Sequence, residues 1–250
     1  MTKPGKVYIG TSGWNYKHWR EEIYPKGLRQ ASWIDFIAER FNTVEVNTSF
    51  YRIPKSETLE QWQAQTPNNF RFAVKLWRGI THYKKLLNSA QYTESFLKAI
   101  DVLRPGRRAP LLIQLPPNQR KNTDKLGAFL DELKELSVSK WRVAVEFRHP
   151  EWLDQDVYRL LDRRGMAICL HDMSGSATGE QNGAKFVYVR RHGGHIGKYH
   201  GSYSPEEIES DAKRIRKWLK EGRDVYVYYN NDIGGHAFRN AQQLKAAIGQ

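Results

Sequence analysis

Short runs in which every second residue is branched or aromatic alternate along this chain with longer runs whose apolar residues recur three and four apart. The first kind reads as strand and the second as helix. Strand signals fall at 7–12, 43–47, 71–75, 109–115, 141–147, 166–172, 185–192 and 224–231. Helical spacing follows most of them. Trp33, Phe36, Ile37 and Phe41 come after Ser32; Leu59 and Trp62 mark the next helix; further ones are expected at 91–103, 123–136 and 153–164. Ser204-Pro205-Glu206-Glu207 has the form of a capping box opening a helix through Ile208, Ile215 and Trp218, and 236–248 closes the series. Residues 174–183 are polar and Gly-rich, so the helix after strand six is expected to be missing or replaced by loop. Strands separated by helices imply parallel βα units. Eight of them in 250 residues predict an α/β fold, a (β/α)8 TIM barrel forming a single domain over 1–250.

Alternation also assigns faces. In a barrel the branched positions face the helices and their neighbours face the lumen. Val44 and Val46 outside leave Glu45 and Asn47 inside; Phe72 and Val74 leave Lys75; Val143, Val145 and Phe147 leave Glu146 and Arg148. Val187 and Val189 leave Tyr188, Arg190 and His192, and Val225 and Val227 leave Tyr226, Tyr228 and Asn230. Strand four adds Gln114, and strand six leaves His171 and Asp172 undecided. A polar crown at the C-terminal ends of the strands is where this fold carries its chemistry. The alternative for the same residues is a network of satisfied ion pairs closing the top of the barrel, because unpaired buried charges are too costly to keep.

Composition narrows the partners. Lys plus Arg is 40 against 27 Asp plus Glu, a formal charge of +13, which favours an anionic small molecule or nucleic acid unless the charge serves only solubility. The lone Cys169 sits in an apolar run and reads as a buried filler, in keeping with a reducing compartment. The N-terminus lacks an apolar signal core, and no run approaches bilayer length, so a cytoplasmic location and no membrane partner are expected. Oligomeric state is not set by these features.

Four chemistries compete for the crown. An anion site is suggested by Gly193, Gly194, Gly197 and Gly201, interleaved with His195, Lys198, His200 and Tyr203, and by Gly234-Gly235 before His236. Barrels often hold phosphate with the loops after strands seven and eight, and the alternative is that these glycines only make turns. Acid–base work is suggested by Glu45 and Glu146, with His192 beside them; Glu146 could equally serve to orient Arg148. A divalent metal would find ligand types in Glu45, Glu146, His171, Asp172, His192 and His236. No short metal-spacing motif occurs, however, and Lys75, Arg148 and Arg190 would repel it, so no metal site or other cofactor is expected. Nucleic acid is suggested by aromatics interleaved with cations, from Trp14 through Tyr16 to Arg20 and from Trp77 through His82 to Lys85, although such rings more often pack under loops.

Motifs along nearly the whole chain resemble the YecE-like family, catalogued as a domain of unknown function. They include Gly10-Thr11-Ser12-Gly13-Trp14 with Tyr16, Trp19 and Tyr24-Pro25; Thr43-Val44-Glu45-Val46-Asn47 with Phe50-Tyr51; Gln114-Leu115-Pro116-Pro117; Glu146-Phe147-Arg148-His149; and Asn230-Asn231-Asp232 with His236-Ala237. The resemblance implies a TIM barrel and supplies no activity; kinship with metal-dependent phosphodiesterase and sugar-isomerase barrels is an analogy of fold. One departure is Glu21-Glu22-Ile23, where the family usually places Gly and Phe.

Together these features predict an enzyme acting on a phosphate-bearing substrate, a nucleotide or nucleic acid, by hydrolytic or acid–base chemistry. Glu45, Glu146 and His192 are the catalytic candidates. Tyr16, Asn47, Lys75, His82, Gln114, Arg148, Arg190, Tyr199, Asn230, Asn231 and His236 are the candidates for holding substrate. A non-catalytic barrel that grips nucleic acid or a nucleotide is the alternative, and a sugar isomerase or hydrolase a lesser one.

Overall fold

A computed structural model describes residues 3–136, 141–179, 181–193 and 199–249. Eight strands, β1 (Val7–Thr11), β2 (Thr43–Val46), β3 (Arg71–Lys75), β4 (Arg108–Gln114), β5 (Val143–Glu146), β6 (Ala167–His171), β7 (Phe186–Arg191) and β8 (Asp224–Tyr229), pair in parallel around one ring. The helices α1 (Trp33–Ala38), α2 (Thr48–Tyr51), α3 (Ser56–Gln65), α4 (Ala90–Ile100), α5 (Thr123–Glu135), α6 (Gln155–Asp162), α7 (Pro205–Lys220) and α8 (His236–Ala247) lie in the connections. This is the expected barrel, and its strands start and stop within about two residues of the expected runs.

Between β6 and β7 there is no helix among the described residues. Asn182 takes over part of its task. Its Oδ1 accepts from the Ile168 amide at 2.9 Å, and its Nδ2 donates to the Met166 carbonyl at 2.8 Å and to Asp162 at 2.7 Å. The start of β6 is thereby tied down without a covering helix.

The seam between β1 and β2 closes the ring differently from the other seven. The Asn42 side chain accepts from the Ile9 amide at 3.0 Å and donates to the Val7 carbonyl at 2.9 Å, while the Gly13 amide reaches the Glu45 carbonyl at 2.9 Å. Gly10 permits this approach, since a Cβ there would lie 2.0 Å from the Thr43 carbonyl oxygen. Branched residues such as Val44, Val74, Val145, Val187 and Val227 pack outward against the helices. The lumen is filled by Tyr8, Ala73, Leu112, Ala144, Cys169, Tyr188, Tyr226 and Tyr228. Cys169 is fully buried there, a filler as expected. No helix among the described residues is long and apolar enough to cross a membrane.

Candidate active site

Above the tyrosine layer the lumen turns ionic. Arg190 grips Glu45 through Nη2–Oε1 at 2.8 Å and Nε–Oε2 at 3.1 Å, and its Nη1 reaches Glu146 Oε2 at 2.7 Å. Glu45 also accepts from the Tyr188 hydroxyl at 2.6 Å and from Ser12 Oγ. Ser12 Oγ in turn accepts from Arg190 at 2.9 Å and from Asn47 Nδ2 at 2.7 Å. Arg148 donates through Nε to Glu146. Two carboxylates and two guanidiniums thus cancel, and each carboxylate oxygen has donors, which is the condition for keeping such charges fully buried. Burial alone would raise the Glu146 carboxyl; Arg148 and Arg190 outweigh it and hold it well below the usual carboxylate value. His192 rests against this layer, 3.2 Å from Arg148, 3.1 Å from Asn230 Nδ2 and 3.9 Å from Glu146. Burial, aided by Arg190, holds it well below the usual histidine value and keeps it neutral.

Over that layer opens a cleft of about 320 Å³. Its walls are aromatic, from Trp14, Tyr16, Phe50, Tyr51, Trp62 and Tyr199, and its polar groups are Asn15, Asn47, Thr48, Lys75, Asn230 and Asp232. Lys75 arrives from the end of β3 with its Nζ 4.0 Å from the centre of the Phe50 ring. No hydrogen bond or ion pair of that nitrogen is found among the described residues, and Lys75 is only 8% exposed. Burial and the nearby Arg190 lower its ammonium to about 7, against a partial pull upward from Glu146 and Glu45. Asn47 Oδ1 is likewise buried without a partner. Tyr16 donates to the Ser12 carbonyl at 2.5 Å, and burial drives its phenol far up. Burial also raises Asp232, which takes Trp19 Nε1 at 2.8 Å and His18 at 3.0 Å on its carbonyl.

The sequence-derived candidates therefore separate into groups. Tyr16, Asn47, Lys75, Tyr199 and Asn230 line the cleft. Glu45, Glu146, Arg148, Arg190 and His192 form the ionic floor beneath it. His82 sits in a wide helical turn at Gly79–Tyr83, bonded to Thr81 at 2.8 Å and near Gln114 at 3.4 Å; burial and Lys75 lower it to about 4. Gln114 is otherwise engaged by the Leu115 carbonyl at 3.0 Å.

Asn231 departs from its expected place. Its side chain donates to the Gly201 carbonyl at 2.8 Å and Asn240 Oδ1 at 2.9 Å, so it ties β8 to α8 and the loop before α7. Alternation explains this, since Asn230 and its successor point to opposite faces. His236 opens α8 and is not among the cleft-lining residues. The glycines before it are left-handed (φ 67° and 68°) and packed in, a Cβ at Gly235 meeting Ile23 at 2.7 Å. Gly194, His195, Gly197 and Lys198 lie outside the described residues. The undecided strand-six pair resolves by phase: His171 follows Cys169 inward and bonds the Phe147 carbonyl at 2.8 Å, whereas Asp172 accepts from the His192 amide at 2.8 Å and from Tyr203. Among the described residues no three His, Cys, Asp or Glu converge on a metal position.

Ser12, at the hub of the floor, and Phe50, Tyr51, Trp62 and Asp232 in the cleft are not among the sequence-derived candidates, and Trp14 is among them only as a ring for nucleic acid. Ser12 was findable, being in phase with the inward Tyr8 and Gly10. Trp14 comes from a loop and Phe50 and Tyr51 from the single turn of α2, segments too short for periodicity to set direction, while Trp62 lies on α3.

Eight parallel strands form a nearly closed α/β barrel with a polar floor and an open cleft at the strand C-termini, the end at which this fold carries its sites. The chain belongs to the family described as "Protein of unknown function DUF72", whose model matches residues 8–250. The UPF0759 protein YunF of Bacillus subtilis is 25% identical over 270 residues, covering 95% of this chain and 93% of YunF. The UPF0759 protein YecE of Escherichia coli is 30% identical over 166 residues, covering 64% of this chain and 57% of YecE. A crystal structure of a DUF72 family protein from Thermotoga maritima superposes with a TM-score of 0.85 at 26% identity, over 98% of this chain and 100% of that one. The expected YecE-like membership is thus correct.

Proposed function

We propose that the cleft is the active site of an acid–base enzyme for a small phosphate-bearing molecule, best matched by a nucleotide. The observation that carries this reading is Lys75, a buried amine without a hydrogen-bond partner, placed where the ionic floor beneath it is already neutralised internally. Protonated, it attracts a phosphoryl oxygen; neutral, it accepts a proton, and a value about 7 suits both roles near neutrality. Aromatic walls offer stacking faces to a planar ring, and Asn47 Oδ1 offers an acceptor to a hydroxyl or amine. In this scheme Glu45 and Glu146 are positioning residues. They hold Arg190 and Arg148 still and set the field around Lys75, while the proton work that the sequence alone would give them passes to the lysine.

The test is turnover and binding of nucleotides and sugar phosphates beside their dephosphorylated counterparts, with wild type and Lys75→Met. Phosphorylated compounds alone turn over, and Lys75→Met lowers kcat/KM by about 100-fold or more. Equal turnover of dephosphorylated sugars, or an unimpaired Lys75→Met, overturns the reading, the former in favour of a sugar-processing enzyme.

One observation favours a second reading, a non-catalytic nucleic-acid barrel. At the rim Arg78 stands 5.1 Å from the Tyr51 ring and 5.3 Å from Tyr83, with those tyrosines 62% and 67% exposed. Exposed rings flanking a cation suit single-stranded bases. Salt-dependent binding without turnover, intact in Lys75→Met and lost in Tyr51→Ala, would select it.

A further inference from the structure

The opposite mouth of the barrel, built from the strand starts, holds a second cavity of about 470 Å³. Lys3, Lys6, Arg71, Arg108 and Arg142 line it with one carboxylate, Asp224. That carboxylate is already in use: Oδ2 takes Arg142 Nη1 at 2.6 Å and Oδ1 takes the Lys6 amide at 2.9 Å. Arg108 leans on Asp101 at 3.2 Å. Even counting both acids, positive groups exceed negative ones by three.

The guanidiniums are held in place by protein groups, with the Arg142 side chain still 48% exposed to the cavity and solvent. Tyr8 and Tyr226 stack at 4.8 Å with their planes 8° apart. Arg71 lies over the Tyr8 ring at 5.5 Å, and Arg142 donates to the Tyr226 hydroxyl at 3.1 Å. Arg108 is fixed by the Leu103 carbonyl at 2.6 Å and the Asp101 carbonyl at 2.8 Å, with its side chain 7% exposed. Two of the donors they carry, Arg71 Nε and Arg108 Nη1, are buried without a partner. A buried unmet donor is costly. Three ordered forks from three neighbouring strand starts, with donors unspent and charge uncompensated, make a receptor for oxygens carrying several negative charges.

We propose that this N-terminal mouth binds a small polyphosphate anion, two or more linked phosphoryl groups, independently of the cleft at the other end. A single phosphate would leave part of the excess charge unmet. The probes are inorganic tripolyphosphate, pyrophosphate and orthophosphate, titrated calorimetrically into the full chain at low salt. Tripolyphosphate is expected to bind at one per chain, more tightly than orthophosphate by tenfold or more. Arg71→Gln and Arg142→Gln each weaken it at least tenfold, and Lys75→Met leaves it unchanged. Arg71→Lys, which keeps the charge and loses the fork, also weakens it; this variant decides the matter should Arg142→Gln fail to fold. Absence of binding, equal affinity for orthophosphate, or loss in Lys75→Met with retention in Arg71→Gln overturns the proposal. So does a polynucleotide that outcompetes tripolyphosphate phosphate for phosphate, which would make the mouth a backbone-tracking surface.

Discussion

Glu45 illustrates how a carboxylate aimed at a barrel mouth can be structural in effect. It is fully buried and accepts from Arg190, Tyr188 and Ser12, residues far apart in the chain. Removing its charge leaves Arg190 with one carboxylate instead of two, and breaking a buried pair in this way costs about 3–5 kcal/mol. Glu45→Gln is therefore expected to lower the urea midpoint of unfolding strongly with an unchanged m-value, before any effect on turnover is read. A variant as stable as wild type would mean that the floor is looser than its hydrogen bonds imply.

The loop joining β1 to α1 shows how a local departure from a family pattern is absorbed. Glu21 takes φ 62°, with its amide bonded to the Tyr24 carbonyl at 2.9 Å. A left-handed conformation costs a residue with a Cβ about 1–2 kcal/mol, and glycine nothing, although glycine loses some of that gain to chain entropy. Glu21→Gly is expected to stabilise the protein by about 0.5–1 kcal/mol, read as a small rise in melting temperature with cleft chemistry untouched. The fold tolerates the strain because Trp19, Tyr24 and Trp33 pack the loop down, Tyr24 stacking on Trp33 at 4.4 Å.

For the molecule as a whole, the cleft and the floor set the dependence of stability on pH. Lys75 carries its proton only to about 7 when folded but to its ordinary value of 10.5 when unfolded. Between those values the unfolded chain binds the extra proton, so stability rises with pH; below about 7 the full penalty of the buried ammonium is felt. His82, lowered from 6.5 to about 4, adds a rise of the same sign between those two values. Glu146 works at the acid end: its lowered carboxyl contributes stability above the ordinary glutamate value, which is lost as the pH falls through its folded value. Lys75→Met is expected to melt higher than wild type at pH 7 and to lose the rise between 7 and 9.5, while binding of phosphorylated ligands falls. Each kcal/mol corresponds to about 2–4 °C for a chain this long. If Lys75→Met melts lower at pH 7, the lysine is a structural cation and the proposed role fails.

The barrel, its eight strands and the inward direction of Glu45, Lys75, Glu146 and Arg190 were legible from periodicity, because a strand repeats every two residues and a barrel buries its branched face, and the want of a helix between β6 and β7 among the described residues was legible from the polar, Gly-rich run there. Alternation also holds the information that Asn231 turns away from Asn230, although residue type alone offers both as ligand-holding. Which inward charges neutralise one another was not legible. Arg190 meets Glu45 across 145 positions of sequence and across the lumen, and only ring closure at Gly10 and Ser12 brings them together. The partnerless state of Lys75 is what remains once those pairs are made. The aromatic walls of the cleft and the cationic mouth at the other end come from loops, short helices and strand starts whose directions are set by packing among distant segments, which no local repeat encodes.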